Sequence, residues 1–329
     1  MFQAEIQVRN ILEVALGLDK DDRLLIIYDR ENEKFARPLI EAAKKAVKRL
    51  EAIALEDFGS RPFTSLPEAL REKILSFSPT ASVFMATGKE GEVSFRLELL
   101  DLLLNNLEAR HVHMPGLDEK IWETGMKVDY EKVAETTLRV YEAVKNAKEI
   151  VVKNNYGTDV KAVLGLKWVP DTGLVRKPGD FINLPAGEVY TCPLKVDGVF
   201  YAEILGDYFV KYGRLEEPVR FEFEDGYVVA IEASDPKLEE ELIKYIFEGP
   251  EYSDRAGEFA LGTNIFLKEP IGNLLQDEKL PGVHIAVGNP YPEKTGADWS
   301  STVHLDFIAL NTDVWVDGEK IMRKGKYLV

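Results

Sequence analysis

Across the first 147 residues, short apolar runs alternate with apolar stripes at helical spacing. Residues 22–29 (DRLLIIYD) form an apolar run edged by charge, the pattern of a strand buried on both faces. In residues 34–50, Phe35, Leu39, Ala42, Ala43 and Val47 line one face of a helix. The alternation continues as extended over 51–58, helical over 67–77, extended over 81–86, helical over 92–107 and extended over 110–113. An amphipathic helix over 130–146 closes it. Strands alternating with helices predict a parallel sheet with helices on its faces. After residue 147 the segments shorten and alternate with period two. Residues 219–224 and 227–232 flank Asp225-Gly226, and residues 314–316 and 320–323 flank Asp317-Gly318, both strong hairpin dipeptides. Asp235-Pro236 supplies a cap and a first-position proline for one helix over 237–247. The expected architecture is an α/β N-terminal scaffold domain with a parallel sheet (1–147) plus a mixed, largely antiparallel α+β C-terminal domain (148–329).

Charge and composition narrow the function classes. At 329 residues, two domains is the default expectation. A net charge of −16 argues against a nucleic-acid partner, which needs a basic face, and equally against docking on an anionic membrane. No apolar run reaches the roughly 18–20 residues of a membrane-spanning helix. The N-terminus, MFQAEIQVRN, has no apolar core of signal-peptide length. The single cysteine, Cys192, excludes an intrachain disulfide and reads as strand packing. A cytoplasmic location is therefore expected. Glutamine occurs only at positions 3, 7 and 276 while Glu and Lys abound, a bias seen in thermophile proteins.

The parallel sheet invites a nucleotide, but the chemistry for one is missing. The first strand runs into YDRENEKF with no glycine near it, and Gly88-Lys89-Glu90-Gly91 has neither phosphate-binding spacing. The four histidines are a sharper filter. His111 and His113 share one face of a strand, with no carboxylate fixed nearby by local spacing, so a structural role is expected for them. His304 and Asp306 share a face of the strand-like VHLDFIAL, as two corners of a metal site or as a hydrogen-bonded pair on a solvated face. His284 stands in the apolar VHIAV, Glu258 in GEFAL, and Glu188 follows the turn-like Pro185-Ala186-Gly187. Each glutamate alone reads as a surface residue; several apolar strands of one domain each carrying one hard metal-binding group do not.

At these residues the chain resembles the thermophilic metallo-aminopeptidase family, the aminopeptidase T group. The resemblance rests on four ordered motifs: residues 183–190 (NLPAGEVY), 257–261 (GEFAL), 284–288 (HIAVG) with Tyr291 seven residues after the histidine, and 304–306 (HLD). It implies metal ligation by Glu188, Glu258, His284, Tyr291, His304 and Asp306. It also implies two divalent ions per chain (zinc, cobalt or manganese) and removal of N-terminal residues from peptides by a metal-activated water. Glu258 would bridge the ions, and Tyr291 would ligate or steady the developing oxyanion. A homodimer acting on a peptide substrate is implied on the same ground. The 292–303 segment is short beside the longer members and bears on peptide preference. Within it, Glu293, Lys294 and Asp298 read as a solvated turn. Residues 154–159 (NNYGTD) resemble a further family segment without an evident chemical role.

Two other readings stay open at this level. Some ring-cleaving dioxygenases of dihydroxypyridines look like members of the same superfamily, with a single iron that His284, His304 and Asp306 could hold. A non-catalytic metal- or ligand-binding relative is the third, since fold does not fix function.

Overall fold

The computed structural model describes residues 5–329. They divide into two compact units, one of residues up to 132 with 173–186, the other of 133–172 with 187–329. The chain thus passes between units three times, where a single division at 147 was expected. Helix Tyr130–Val144 buries Val140 and Val144 in the core of the second unit, which moves the boundary back. Residues 173–186 return later to complete the first unit.

In the first unit the strands order as Arg49–Ala54, Arg23–Tyr28, Ala81–Ala86, Arg110–Pro115 and Phe181–Asn183, all parallel. Helices Glu33–Ala46, Glu68–Phe77 and Val93–Asp101 connect them, as the alternation predicts. Leu25, Ile27, Phe84, Phe95 and Leu99 meet in its core. Phe181–Asn183 was not expected: three residues carry too little periodicity to read as a strand. The expected extended stretch 51–58 begins at Arg49 and stops at Ala54, because residues 55–58 curl into a tight helical turn ending at Gly59. His111 and His113 lie fully inside this sheet. Ser82 Oγ sits 2.7 Å from His111 Nδ1, and His111 Nε2 sits 3.1 Å from His113 Nδ1. His113 also stacks on Phe84. The pair is a polar thread through an apolar sheet, in keeping with the structural role expected of it.

The second unit contains two antiparallel sheets. One has eight strands in the order Tyr227–Glu232, Val219–Glu224, Lys195–Ala202, Asp159–Val163, Glu149–Lys153, Asp313–Val316, Glu319–Arg323 and Lys326–Tyr327. The other has six: Ile204–Leu205, His304–Leu310, Gly282–Gly288, Ala256–Gly262, Glu188–Thr191 and Val169–Asp171. Both Asp-Gly hairpins form, with Asp225, Gly226, Asp317 and Gly318 all at positive φ as such tight turns require. Helix Pro236–Phe247 starts where Asp235 accepts a hydrogen bond from the Lys237 amide at 2.9 Å. In residues 154–159, Asn154 Oδ1 accepts from the amides of Tyr156 and Thr158, each at 3.0 Å, so that segment has a turn-building reason for its sequence. No described helix is long and apolar enough to cross a membrane.

Period two explains the six-stranded sheet. Val189, Phe259, Leu261, Val283, Ile285, Val287, Leu305, Phe307 and Ala309 face a core shared with the eight-stranded sheet, where Phe307 stacks on Phe221 with ring centroids 3.8 Å apart. The alternate positions point the other way. That second face carries Glu188, Tyr190, Glu258, His284, His304 and Asp306, with Ala260, Gly262, Ala286 and Gly288 between them. Small residues thus alternate with the polar ones along that face.

Candidate metal centre

Antiparallel register brings residues from four strands into line. Ala260 pairs with both Tyr190 and His284, and Ala286 pairs with both Glu258 and Asp306. The alignment depends on a bulge at Gly257, which shifts Glu258 onto the row of Ala286. A side chain at Gly257 would put its Cβ 2.0 Å from the Gly288 carbonyl oxygen, so the glycine of GEFAL is required by close backbone approach. Gly288, the glycine of HIAVG, sits at φ +94, and a Cβ there would lie 2.1 Å from the Val303 carbonyl oxygen. Both motif glycines thus serve the geometry of the polar side chains beside them.

The polar face converges. Glu188, Glu258 and His284 each offer a ligand atom within 4.8 Å of the others'. Glu258 Oε1 is 3.1 Å from His284 Nε2, and Glu188 Oε2 is 3.5 Å from the same nitrogen. On the other side, His304 Nε2 is 3.8 Å from Glu258 Oε2 and 3.5 Å from Asp306 Oδ1. His304 Nδ1 lies 3.0 Å from the Asn289 carbonyl oxygen. A proton on Nδ1 satisfies that carbonyl and leaves the Nε2 lone pair facing the carboxylates, the usual way a backbone group orients a metal-binding imidazole. Tyr291 precedes the short helix Pro292–Thr295 at φ +50, and its ring packs 5.0 Å from that of His304 and 6.0 Å from that of Tyr190. All six residues singled out from the sequence therefore lie around one face. His111 and His113 belong to the other unit. In the 292–303 segment Glu293 and Asp298 are exposed, as a solvated turn requires.

The electrostatics ask for positive charge. Glu188, Glu258 and Asp306 are buried, and Glu188 Oε2 and Asp306 Oδ1 have no hydrogen-bond partner. An unsatisfied buried carboxylate oxygen is costly unless a cation meets it. The histidines register the same excess. Burial opposes a charge on His284, yet its hydrogen bond to Glu258 and the charges of Glu188 and Glu258 push it up to about 9. Burial likewise opposes a charge on His304, but Asp306 and Glu258 push it up to about 10. Burial holds the phenol of Tyr291 well above its ordinary range, and the surrounding carboxylates add to that. Two carboxylates and an imidazole at such spacing, with lone oxygens lacking donors, fit a divalent cation. Elsewhere among the described residues no further His, Cys, Asp and Glu grouping has that spacing.

Three residues of this site carry no sequence warning or a faint one. Tyr190 follows Glu188 by two positions, so period two could have placed it on the same face. Lys279 is buried with Nζ 2.6 Å from Glu188 Oε1 and 2.7 Å from Glu278 Oε1. Both lie in the stretch between helix Leu274–Asp277 and strand Gly282–Gly288, outside any periodic pattern. Cys192 is buried, and burial pushes its thiol up to about 12, which suits the packing role.

Known proteins share this fold. No curated protein matches the chain. Among solved structures, 2,5-dihydroxypyridine dioxygenase from Pseudomonas putida superposes with a TM-score of 0.72 at 16% identity, covering 99% of this chain and 97% of its own. Wild-type AmpT from Thermus thermophilus superposes with a TM-score of 0.69 at 21% identity, covering 99% of each chain. At such identities the likeness concerns the fold. The sequence family is decided by the match of residues 128–327, more than half of the chain, to the thermophilic metalloprotease (M29) model. These residues include every side chain of the polar face just described, and the chain belongs to the thermophilic metalloprotease (M29) family.

Proposed function

We propose that this metallopeptidase is a two-metal aminopeptidase that removes N-terminal residues from peptides, working as a homodimer in the cytoplasm. The observation that carries the reading is the position of Glu258. Its Oε1 faces His284 at 3.1 Å and its Oε2 faces His304 at 3.8 Å. One carboxylate thus serves two half-sites, Glu188 with His284 and Asp306 with His304, as a bridging ligand would. Divalent ions held by these residues, whether zinc, cobalt or manganese, would supply Lewis-acid polarisation of the scissile carbonyl and an acidified water.

The chain's own residues do the rest. Glu258 joins the half-sites and fixes their separation. Tyr291, whose ring packs 5.0 Å from that of His304, would serve as a hydrogen-bond donor to the oxyanion that develops on the carbonyl. The rings of Tyr190 and Tyr291, packed edge to face, would wall one side of the polar groups. The free amine of a peptide could then complete the coordination of an ion held by these polar groups, which would select N-termini over internal bonds.

A mononuclear iron site drawn from His284, His304 and Asp306, as in a dioxygenase, would leave Glu258 and Glu188 without work, and the bridging position of Glu258 counts against it. The experiment is metal analysis combined with peptide assay after loading with Zn²⁺, Co²⁺ or Mn²⁺. Two ions per chain and release of the first residue from free but not N-acetylated peptides are expected. One iron per chain with oxygen uptake, or equal cleavage of acetylated peptides, would overturn the proposal. Light scattering tests the dimer, with a monomer mass as the contrary result.

A further inference from the structure

Lys279 is the cation that the acidic face already contains. Its side chain is 2% exposed, and an ammonium that deep is tolerated only when its hydrogens are taken up by negative partners. Two carboxylates do this. Glu278 Oε1 approaches to 2.7 Å and Glu188 Oε1 to 2.6 Å, the latter across 91 positions of sequence. The backbone of Lys279 is itself anchored, its amide donating to the Gln276 carbonyl at 3.0 Å and its carbonyl accepting from the Asn264 amide at 3.1 Å. The two oxygens of Glu188 therefore have different surroundings. Oε1 is held by the ammonium, while Oε2 is buried, lacks any donor and lies 3.5 Å from His284 Nε2, inside the grouping that Glu258 completes. A counter-ion needed only for neutrality would be served by Glu278 alone, whose side chain is 17% exposed and adjacent in sequence.

The geometry points to Lys279 as a positioning residue: its ammonium clamps one oxygen of Glu188 so that the other alone is presented to a divalent cation shared with Glu258 and His284. The inference rests on the metal reading of the site, and it adds a residue that touches neither the cation nor the substrate. Fixing one carboxylate oxygen sets the carboxylate plane and holds Glu188 to a single ligating atom. It also keeps the Glu188 half-site distinct from that of His304 and Asp306, which Lys279 does not contact.

Cobalt is the probe, because its visible absorption reports ligand number and geometry. Titration of metal-free protein with Co²⁺ is compared between the wild type and Lys279→Met. The variant is expected to weaken one of two binding steps by roughly 10–100-fold, the usual cost of losing a group that orients a ligand, and to alter the band intensity of that step alone. If Lys279→Met does not fold because it strands Glu278, the double variant Lys279→Met/Glu278→Gln removes a cation and an anion together and carries the same comparison. Circular dichroism establishes that the variant titrated is folded. Unchanged Co²⁺ affinity and an unchanged spectrum in a folded variant overturn the positioning role while leaving the metal site intact. A wild type that binds no Co²⁺ overturns the metal reading itself, so the two failures are distinguishable.

Discussion

Acidification should destabilise this protein through a residue of the first unit that is not part of the polar face. His111 lies fully buried on the strand Arg110–Pro115, beside Ser82 of the neighbouring strand and His113 of its own. Burial lowers its pKa to about 3 against the weaker opposing effect of Ser82. An unfolded histidine titrates near 6.5, so below that pH the unfolded chain takes up a proton that the folded chain refuses. The folded pKa is depressed for a base, and the stability it costs therefore grows as pH falls from 6.5 toward 3. Each pH unit in that window costs about 1.4 kcal/mol, which comes to about 2 kcal/mol at pH 5 relative to pH 8. At pH 5 the figure is insensitive to the folded value, because any pKa well below 5 leaves the folded ring neutral. That is a large share of a typical folding free energy of about 5–15 kcal/mol. The assay is urea denaturation at pH 8 and pH 5 for the wild type and His111→Gln, which cannot take up a proton in this range. The variant is less stable at both pH values, yet its loss between them should be smaller than that of the wild type by about 2 kcal/mol. Equal losses in the two proteins, or a His111 titration midpoint near 6.5 by NMR, would refute the reasoning.

Other outcomes follow from the polar face and the core beneath it. On the two-metal proposal, Glu258→Gln would remove one ligating oxygen from between the half-sites, and kcat/KM should fall by roughly 10³-fold, about 4 kcal/mol, with fewer than two ions retained per chain in metal analysis. Gly206→Ala would set a Cβ 2.9 Å from Asp306 Oδ2 and 3.0 Å from Asp306 Cβ. Its overpacking should cost about 1–3 kcal/mol in a denaturant titration and weaken the His304 half-site first, seen as loss of one Co²⁺. A chelator should lower the melting temperature as well as abolish activity, since ions at 100 times Kd contribute about 2.7 kcal/mol; an unchanged melt contradicts this. Phe307→Ala removes the ring stacked on Phe221 and should cost about 3–5 kcal/mol in urea unfolding, and a cost under 1 kcal/mol would show that this core collapses around the gap.

Most elements were legible because their causes are local. The apolar run at 22–29 became the buried strand Arg23–Tyr28, and the two Asp-Gly dipeptides became hairpins because few other residues accept positive φ at both positions. His304 and Asp306 could be set on one face because two positions of one strand share a side whatever surrounds it. The six-residue set was legible only through its ordered motifs, since nothing local joins Glu188 to His284. The junction of the units at 132/133 was not legible because helix Tyr130–Val144 is amphipathic wherever it docks, and Phe181–Asn183 is too short to show a period.

By itself, then, the sequence determined the strand and helix pattern, the glycines at the bulge and the turn, and the motif set that marks the M29 family, because backbone propensity and face periodicity act over a few residues. Only the tertiary structure decided that Glu258 lies between two histidines, that Gly257 sets the row it occupies, and that Lys279 holds one oxygen of Glu188. Those facts depend on strand register and on a contact across 91 positions, and long-range pairing is fixed by how the whole sheet packs.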